Sequence, residues 1–257
     1  MTLIAINVLL EPDGDTVEKA QAINKRLRGN HPEGFPLDAN HAPHITILQL
    51  LIKTEDLGQA IDAVENALRR DSPINIAGQA TGYVDMASGN LKLTGFRIEA
   101  TPNLRRLQQV IIDAIAPFAV NHGTSDAFAS RMDGDVISNE TIDYVSKFSN
   151  GRTGPNYQPH LTLGIGTSDF VEALVAESFE PFTIQTTSVS LYQIGDDGVA
   201  QTKLHDFSRQ ADPLPSWNEG HVKQAIFAFV TEVTNKDSAA YLPPSERIAV
   251  HDNDGTL

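Results

Sequence analysis

The alternation of apolar and polar positions along the chain predicts short buried strands separated by amphipathic helices. Residues 4–10 form a continuous apolar run interrupted only by Asn7, and the run ends at the turn sequence Glu11-Pro12-Asp13-Gly14. This pattern is typical of a buried first strand. Further strands are predicted at residues 44–51, 74–85, 91–99, 160–165, 182–194 and 200–205.

Apolar residues at helical spacing predict the helices between these strands. The first helix is expected to begin at an N-cap formed by Asp15 or Thr16 and to end near Arg28. Other helices are predicted at residues 54–70, 103–118, 140–148 and 218–235, and from about residue 168. Because the strands and helices do not follow a regular βαβ order, the predicted fold class is α+β with antiparallel sheet.

The composition narrows the functional classes. The 257 residues are 40% apolar and 20% charged, which is typical of a globular protein. With 19 basic and 33 acidic residues, the net charge of −14 argues against binding long nucleic acid along its phosphates. A small anionic substrate in a local pocket remains compatible with this charge. The sequence has no cysteine, which excludes disulfides, thiol nucleophiles and cysteine-ligated metals.

The sequence pattern also predicts a location. No run of about 18 apolar residues occurs, so no membrane span is expected. Residues 1–13 contain no Lys or Arg and therefore do not have the pattern of a signal peptide. We expect a cytoplasmic monomer.

One pentapeptide pattern occurs twice, each time on a short apolar strand. Pro43-His44-Ile45-Thr46-Ile47 and Pro159-His160-Leu161-Thr162-Leu163 both read Pro-His-aliphatic-Thr-aliphatic. Residues i and i+2 of a strand share one face, so His and Thr of each motif point together and the aliphatic residues point to the core. The shorter pattern His-x-Thr is weak, since His122-Gly123-Thr124 matches it in a loop. Two solvent-facing polar strand faces are the alternative interpretation of the repeat.

The paired motifs suit phosphodiester cleavage. A neutral His accepts a proton from the attacking oxygen, and a second, protonated His donates one to the leaving oxygen. Histidine holds both roles near neutral pH. The hydroxyls of Thr46 and Thr162 are candidates for binding the phosphate oxygens. This chemistry requires no metal and no cofactor, and the sequence shows no ligand cluster that would demand one.

With these two motifs, the sequence resembles the two-histidine (2H) phosphoesterase superfamily, which includes bacterial 2′-5′ RNA ligases and cyclic nucleotide phosphodiesterases. The resemblance covers residues 3–208 and implies a bilobal fold, with two antiparallel sheets and flanking helices around a central cleft. It implies metal-independent cleavage, or in reverse ligation, at 2′,3′-cyclic phosphates or 2′-5′ linkages of a small nucleotide or RNA terminus. By motif position, His44, Thr46, His160 and Thr162 carry over as catalytic and phosphate-binding residues. Which His is the base stays open.

Four further residues near the motifs are candidates for binding the substrate. Tyr157, in the loop before the second motif, is expected to stack on a base or bind phosphate, and packing within the loop is the alternative. Phe35 and His41 precede the first motif and are candidates for lining the cleft, with a purely structural role as the alternative. Arg152 is the cation nearest to the second motif in sequence and a candidate for neutralising phosphate, and an exposed loop arginine is the alternative.

The C-terminal region has a different character. We expect residues 1–209 to form the phosphoesterase-like domain and residues 210–257 to form a linker and a short helical tail. The tail ends in Ile248-Ala249-Val250-His251-Asp252-Asn253-Asp254-Gly255-Thr256, which resembles the first motif, DxDGT, of the haloacid dehalogenase (HAD) superfamily. That resemblance implies the beginning of a HAD domain without its remaining motifs. Two alternatives to a phosphodiesterase stay open, namely a nucleotide-binding module of the same fold and a Mg²⁺-dependent phosphatase centred on Asp252.

Overall fold

The computed structural model describes residues 2–71, 76–129, 137–207, 221–234, 238 and 240–247. The chain divides into two compact units, Met1–Ser208 and Arg209–Leu257. Within the described residues, the first unit holds all of the β-strands and five of the six α-helices.

The strands of the first unit pair antiparallel in one connected network. They are β1 (Leu3–Pro12), β2 (Ile45–Lys53), β3 (Ala77–Ser88), β4 (Leu91–Ile98), β5 (Ala119–Val120), β6 (His160–Thr167), β7 (Phe182–Ile194) and β8 (Ala200–Asp206). Their order is β1-β2-β6-β4-β3-β7-β8, with β5 paired to β2. Since β7 also pairs with β1, six of these strands form a closed circuit.

The two antiparallel sheets that the resemblance implies are joined here into one eight-stranded network with two halves. The long strand β7 belongs to both, because residues 182–185 pair with β3 and residues 186–193 pair with β1. On the other side of the circuit, β2 and β6 meet at one pair of residues, Ile45 and Leu161. The predicted α+β class, with antiparallel sheet and flanking helices, is confirmed.

Helices cover both faces of the strand network. They are α1 (Gly14–Asn30), α2 (Leu57–Asp71), α3 (Pro102–Ile115), α4 (Asn139–Gly151) and α5 (Ser168–Val175), and α6 (His221–Thr234) lies in the second unit. Helix α1 packs on β6, and α5 packs on β3, β4 and β6. Helices α3 and α4 contact β2. Leu50 and Ile52 of β2 join one apolar core and Leu51 joins another, because alternate residues of a strand face opposite sides. β2 is therefore buried on both faces.

The predicted N-cap of the first helix is wrong. The cap is Asp13, whose Oδ1 accepts a hydrogen bond of 2.8 Å from the backbone N–H of Thr16. The carboxylate of Asp13, two residues before Asp15, accepts a hydrogen bond from an N–H of the first turn that has no partner within the helix. Its negative charge also interacts favourably with the positive end of the helix dipole. Asp15 lies within the first turn instead.

The second unit contributes helix α6 and a short 3-10 turn, Pro244–Glu246, to the described residues. The predicted HAD-like segment, residues 248–257, lies outside the described residues. Across the described ranges, no helix combines the length and apolarity that crossing a membrane requires.

One glycine allows β4 and β6 to approach each other beside the second motif. Gly95 pairs with Thr162, and a Cβ at Gly95 would lie 2.7 Å from the carbonyl oxygen of Leu161. Since that neighbour is backbone, the strands would have to separate. Gly82 of β3 is a matched control, because a Cβ there meets no atom within 4 Å.

We therefore expect Gly95→Ala to lower the free energy of unfolding by about 1–3 kcal/mol through overpacking. Gly82→Ala should change it by less than about 0.5 kcal/mol. Urea unfolding followed by circular dichroism measures both values. Equal stability of the two variants would contradict the close approach of β4 to β6.

Candidate active site

The two motif strands lie side by side and present their polar residues to one cleft. Ile45 and Leu161 pair across β2 and β6, and both are fully buried. Their neighbours in sequence therefore point to the opposite face. Because the strands are antiparallel, His44 lies diagonally across this pair from His160. His44, Thr46, His160 and Thr162 all line one cleft of about 240 Å³.

Backbone carbonyls fix the orientation of both imidazoles. Nδ1–H of His44 donates to the carbonyl of Ala42 at 2.7 Å, and Nδ1–H of His160 donates to the carbonyl of Gln158 at 3.0 Å. In each case the acceptor lies two residues before the His. Nε2 of the neutral ring is then free to accept a proton. The repeated motif thus has the same side-chain geometry on both strands.

Asn7 of β1 joins the two polar residues of the first motif. Its Nδ2 lies 3.3 Å from Nε2 of His44 and 3.4 Å from Oγ1 of Thr46. The side chain is fully buried. Sequence reasoning did not assign it to the site, although it is the one polar residue in the first apolar run. A buried amide in such a run needs hydrogen-bond partners, and here they are the site residues.

The cleft lowers the pKa of both histidines. The pKa of His44 is lowered to about 4, chiefly by loss of hydration and also by the nearby His160, against the opposing effects of the Ala42 carbonyl and Glu11. Loss of hydration also lowers the pKa of His160, with a further contribution from the positive charge of Arg152. The carbonyl of Gln158 opposes this shift. The environment of the cleft therefore favours two neutral imidazoles.

Phe35 and His41 form a flat wall of the same cleft. Their rings stack with centroids 5.4 Å apart and an interplanar angle of 10°. The buried amide of Asn24 holds this loop against the second motif strand, because its Nδ2 donates to the carbonyls of Phe35 and Leu163. The structure therefore brings both predicted loop residues to the cleft.

Tyr157 does not line this cleft. It is buried, and its hydroxyl donates a hydrogen bond of 2.9 Å to the carbonyl of Thr46. This bond ties the loop before the second motif to the strand of the first motif. The structure thus places Tyr157 in the packing position that the sequence left as the alternative to contact with a base or phosphate.

Arg152 lies beside the second motif. Its guanidinium covers the ring of Tyr144, with 4.6 Å between Cζ and the ring centroid. Arg152, Tyr157 and His160 line a small second pocket that adjoins the main cleft at Thr46 and Tyr144. The predicted cation therefore lies in the same small pocket as His160.

Another wall of the cleft comes from α4 and the turn between β7 and β8, which sequence reasoning missed. Asp196 in this turn accepts hydrogen bonds from the backbone N–H and the hydroxyl of Ser138 and from the hydroxyl of Thr141. This network fixes the N-terminus of α4, whose residues Glu140, Thr141 and Tyr144 line the cleft. The weak periodicity of residues 120–154 gave no sign of this role.

The donor set of the site is not that of a metal centre. Across the described ranges, no group of three or more His, Asp or Glu side chains is arranged to hold a metal ion. The polar groups of the motifs are two imidazoles and two hydroxyls, which suit proton transfer and hydrogen bonding to an anion.

Comparisons with solved structures give distant matches. Escherichia coli LigT complexed with NADP⁺ is 13% identical and matches 81% of this chain and 98% of its own, with a TM-score of 0.41. Kluyveromyces marxianus Usb1 is 6% identical over 81% of this chain and 98% of its own, with a TM-score of 0.41. Usb1 of the same organism with uridine monophosphate is 7% identical over 79% and 98%, with a TM-score of 0.42. A search of curated proteins finds no significant match.

A family model gives the assignment. The model of the 2′-5′ RNA ligase superfamily matches residues 15–198, which include both motifs and most of the first compact unit. This match confirms the family resemblance that the two motifs indicated. The chain belongs to the 2′-5′ RNA ligase superfamily.

Proposed function

We propose that this protein is a metal-independent phosphodiesterase that cleaves a cyclic phosphate or a 2′-5′ phosphodiester of a small nucleotide or RNA terminus. The observation that carries the proposal is the pair of imidazoles at the meeting point of β2 and β6, each held by a backbone carbonyl through Nδ1. Two positioned imidazoles supply both proton transfers of phosphodiester cleavage. Family membership in the 2′-5′ RNA ligase superfamily supports the same class of substrate.

We assign His44 as the general base. Its pKa is lowered to about 4, and Nδ2 of Asn7 lies within reach of its Nε2. A donor at Nε2 favours the neutral ring, because protonation of that nitrogen would remove the hydrogen bond. A water molecule that replaces Nδ2 of Asn7 beside Nε2 of His44 would donate its hydrogen bond to an acceptor that is already oriented. Asn7 is then a positioning residue for both His44 and Thr46.

His160 is the corresponding general acid. The carbonyl of Gln158 accepts from Nδ1–H and stabilises the imidazolium. A phosphate anion bound between the motifs adds negative charge and raises the pKa of His160 in the complex. The substrate therefore promotes the protonation of His160 that the acid role requires. The positive charge of Arg152 opposes this rise in the pKa of His160.

With these roles, the reaction on a 2′,3′-cyclic phosphate is a hydrolysis in which water attacks phosphorus. The water oxygen bonds to phosphorus while its proton passes to Nε2 of His44. The bond from phosphorus to one ribose oxygen breaks, and that oxygen takes the proton from Nε2 of His160. The product is a phosphomonoester, and proton exchange with solvent restores both histidines. The hydroxyls of Thr46 and Thr162 donate to the non-bridging oxygens, whose charge grows in the transition state.

The shape of the cleft favours a small substrate. A volume of about 240 Å³ is slightly below the roughly 300–1,000 Å³ typical of small-molecule pockets. The stacked rings of Phe35 and His41 offer a flat surface to a nucleobase. A terminal nucleotide fits this arrangement better than an extended nucleic acid.

We expect His44→Ala and His160→Ala each to lower the rate of hydrolysis of 2′,3′-cyclic mononucleotides in EDTA by at least about 10²-fold, since each removes a positioned acid or base. His122→Ala is the matched control, because His122 is exposed, does not line the cleft and belongs to the chance match His-Gly-Thr. It should retain the wild-type rate. Nucleotide binding without turnover by the wild type would favour the binding module, and turnover that requires Mg²⁺ would contradict the proposal.

The opposite protonation of the two histidines predicts the pH profile of kcat/KM. The neutral form of His44 is lost as the pH falls through its pKa of about 4. The protonated form of His160 is lost as the pH rises through its own pKa, which lies below 6.5. We expect a bell-shaped profile with its maximum on the acid side of pH 6.5. The alkaline limb of the kcat profile should lie at higher pH than that of the kcat/KM profile, because bound phosphate stabilises the imidazolium of His160. A kcat/KM optimum above pH 8 would contradict the assigned roles.

A further inference from the structure

An arginine that the motifs do not include lies directly opposite His160. Arg97 of β4 pairs with His160 of β6 in the antiparallel register, so both side chains project from the same face of the sheet. Leu93, four residues earlier on β4, lines the cleft and identifies this face as the cleft face. Arg97 is exposed between the buried residues Phe96 and Ile98.

The guanidinium of Arg97 is available for a ligand. Within the part of the chain that the structure describes, its side chain makes no hydrogen bond or ion pair. Glu99, the nearest carboxylate along the chain on this side, does not pair with it either. Within the described residues, an arginine without an ion pair thus lies opposite a site histidine, in a protein with 33 acidic and 19 basic residues.

Arg152 lies close to the same histidine. It contributes to the lowered pKa of His160, and both residues line the small pocket at this end of the cleft. The described residues that line this small pocket include no carboxylate. The acidic lining residues, Glu140 and Asp197, belong to the main cleft at the N-terminus of α4 and the β7–β8 turn. The cleft is therefore basic near His160 and acidic near the start of α4.

We propose that Arg97 and Arg152 form a subsite for a second phosphate, so that the preferred substrate is a 5′-phosphorylated nucleoside 2′,3′-cyclic phosphate. This inference rests on the proposed function. A cyclic phosphate occupies both the 2′ and the 3′ oxygen of its ribose, so the next phosphate along the nucleotide lies on the 5′ oxygen. Arginine presents a planar set of donors that matches a phosphate in a bidentate geometry. Such a ligand occurs as the end of an oligonucleotide or as a 5′-phosphorylated mononucleotide.

The kinetic test compares adenosine 2′,3′-cyclic phosphate with the same compound carrying a 5′-phosphate. We expect the 5′-phosphate to raise kcat/KM of the wild type at least tenfold, mainly through KM. Arg97→Gln should abolish most of this gain and leave kcat/KM for the unphosphorylated compound within twofold. Arg106→Gln is the matched control, since Arg106 is an exposed arginine of α3 away from the cleft. It should keep the full gain.

Two outcomes would overturn the subsite. No gain from the 5′-phosphate in the wild type would show that no second phosphate is bound. An equal loss of kcat for both compounds in Arg97→Gln would show that Arg97 acts on the reacting phosphate. A dinucleotide ending in a 2′,3′-cyclic phosphate distinguishes an oligonucleotide end from a mononucleotide as the substrate. If it raises kcat/KM as much as the 5′-phosphorylated mononucleotide does, the substrate is an RNA end. A smaller increase indicates a mononucleotide.

A binding measurement keeps this test separate from the test of catalysis. Calorimetry compares adenosine 3′-monophosphate with adenosine 3′,5′-bisphosphate, neither of which carries the cyclic phosphate. Tighter binding of the bisphosphate that depends on Arg97 would support the subsite even if cyclic phosphates are not cleaved. Equal affinity of the two compounds for the wild type would overturn the subsite even if cleavage is observed.

Discussion

The pairing of Ile45 with Leu161 is the constraint on which the site depends. These two buried residues join the motif strands at one point, and the strands diverge on either side of it. A strand alternates its faces, so burying the aliphatic residue of each motif forces the flanking His and Thr toward the cleft. A shift of one residue in either strand would move its polar pair into the core. Tyr157 and the buried amide of Gln108 secure this arrangement, since both donate to backbone carbonyls of β2.

The position of the imidazoles in the cleft reduces their hydration and fixes their orientation. Each ring donates Nδ1–H to a carbonyl two residues earlier, which leaves the other nitrogen as the acceptor at the cleft. The same partial burial lowers the pKa of both rings, so a charged pair does not accumulate before the substrate arrives. In the proposed mechanism, a bound phosphate supplies the negative charge that stabilises an imidazolium. Asn7 makes the two rings unequal, because only His44 has an amide donor within reach of Nε2.

The sequence predicted the features that depend on local pattern. The two motif strands, the buried first strand and most helices follow from periodicity, and the repeated pentapeptide identified His44 and His160. Contacts between distant segments were harder to predict. Arg97 lies opposite His160 only through the register of β4 with β6, and Glu140 lines the cleft at the start of α4, which Asp196 anchors. Tyr157 shows the opposite case, since proximity to a motif in sequence suggested contact with the substrate and the structure uses its hydroxyl to join two segments.

Net charge is a weak guide to the ligand because the site is small compared with the protein surface. A net charge of −14 opposes the binding of long nucleic acid, yet charges on distant surfaces are screened within about 8 Å at physiological ionic strength. Local groups therefore determine whether an anion binds in the cleft. Near His160 these groups are Arg152, which lines the small pocket, and Arg97, which lies opposite His160 in the strand register; the acidic lining residues belong to the start of α4 and the β7–β8 turn. An acidic surface around such a cleft would discourage extended nucleic acids while leaving the cleft open to a short, phosphate-rich end.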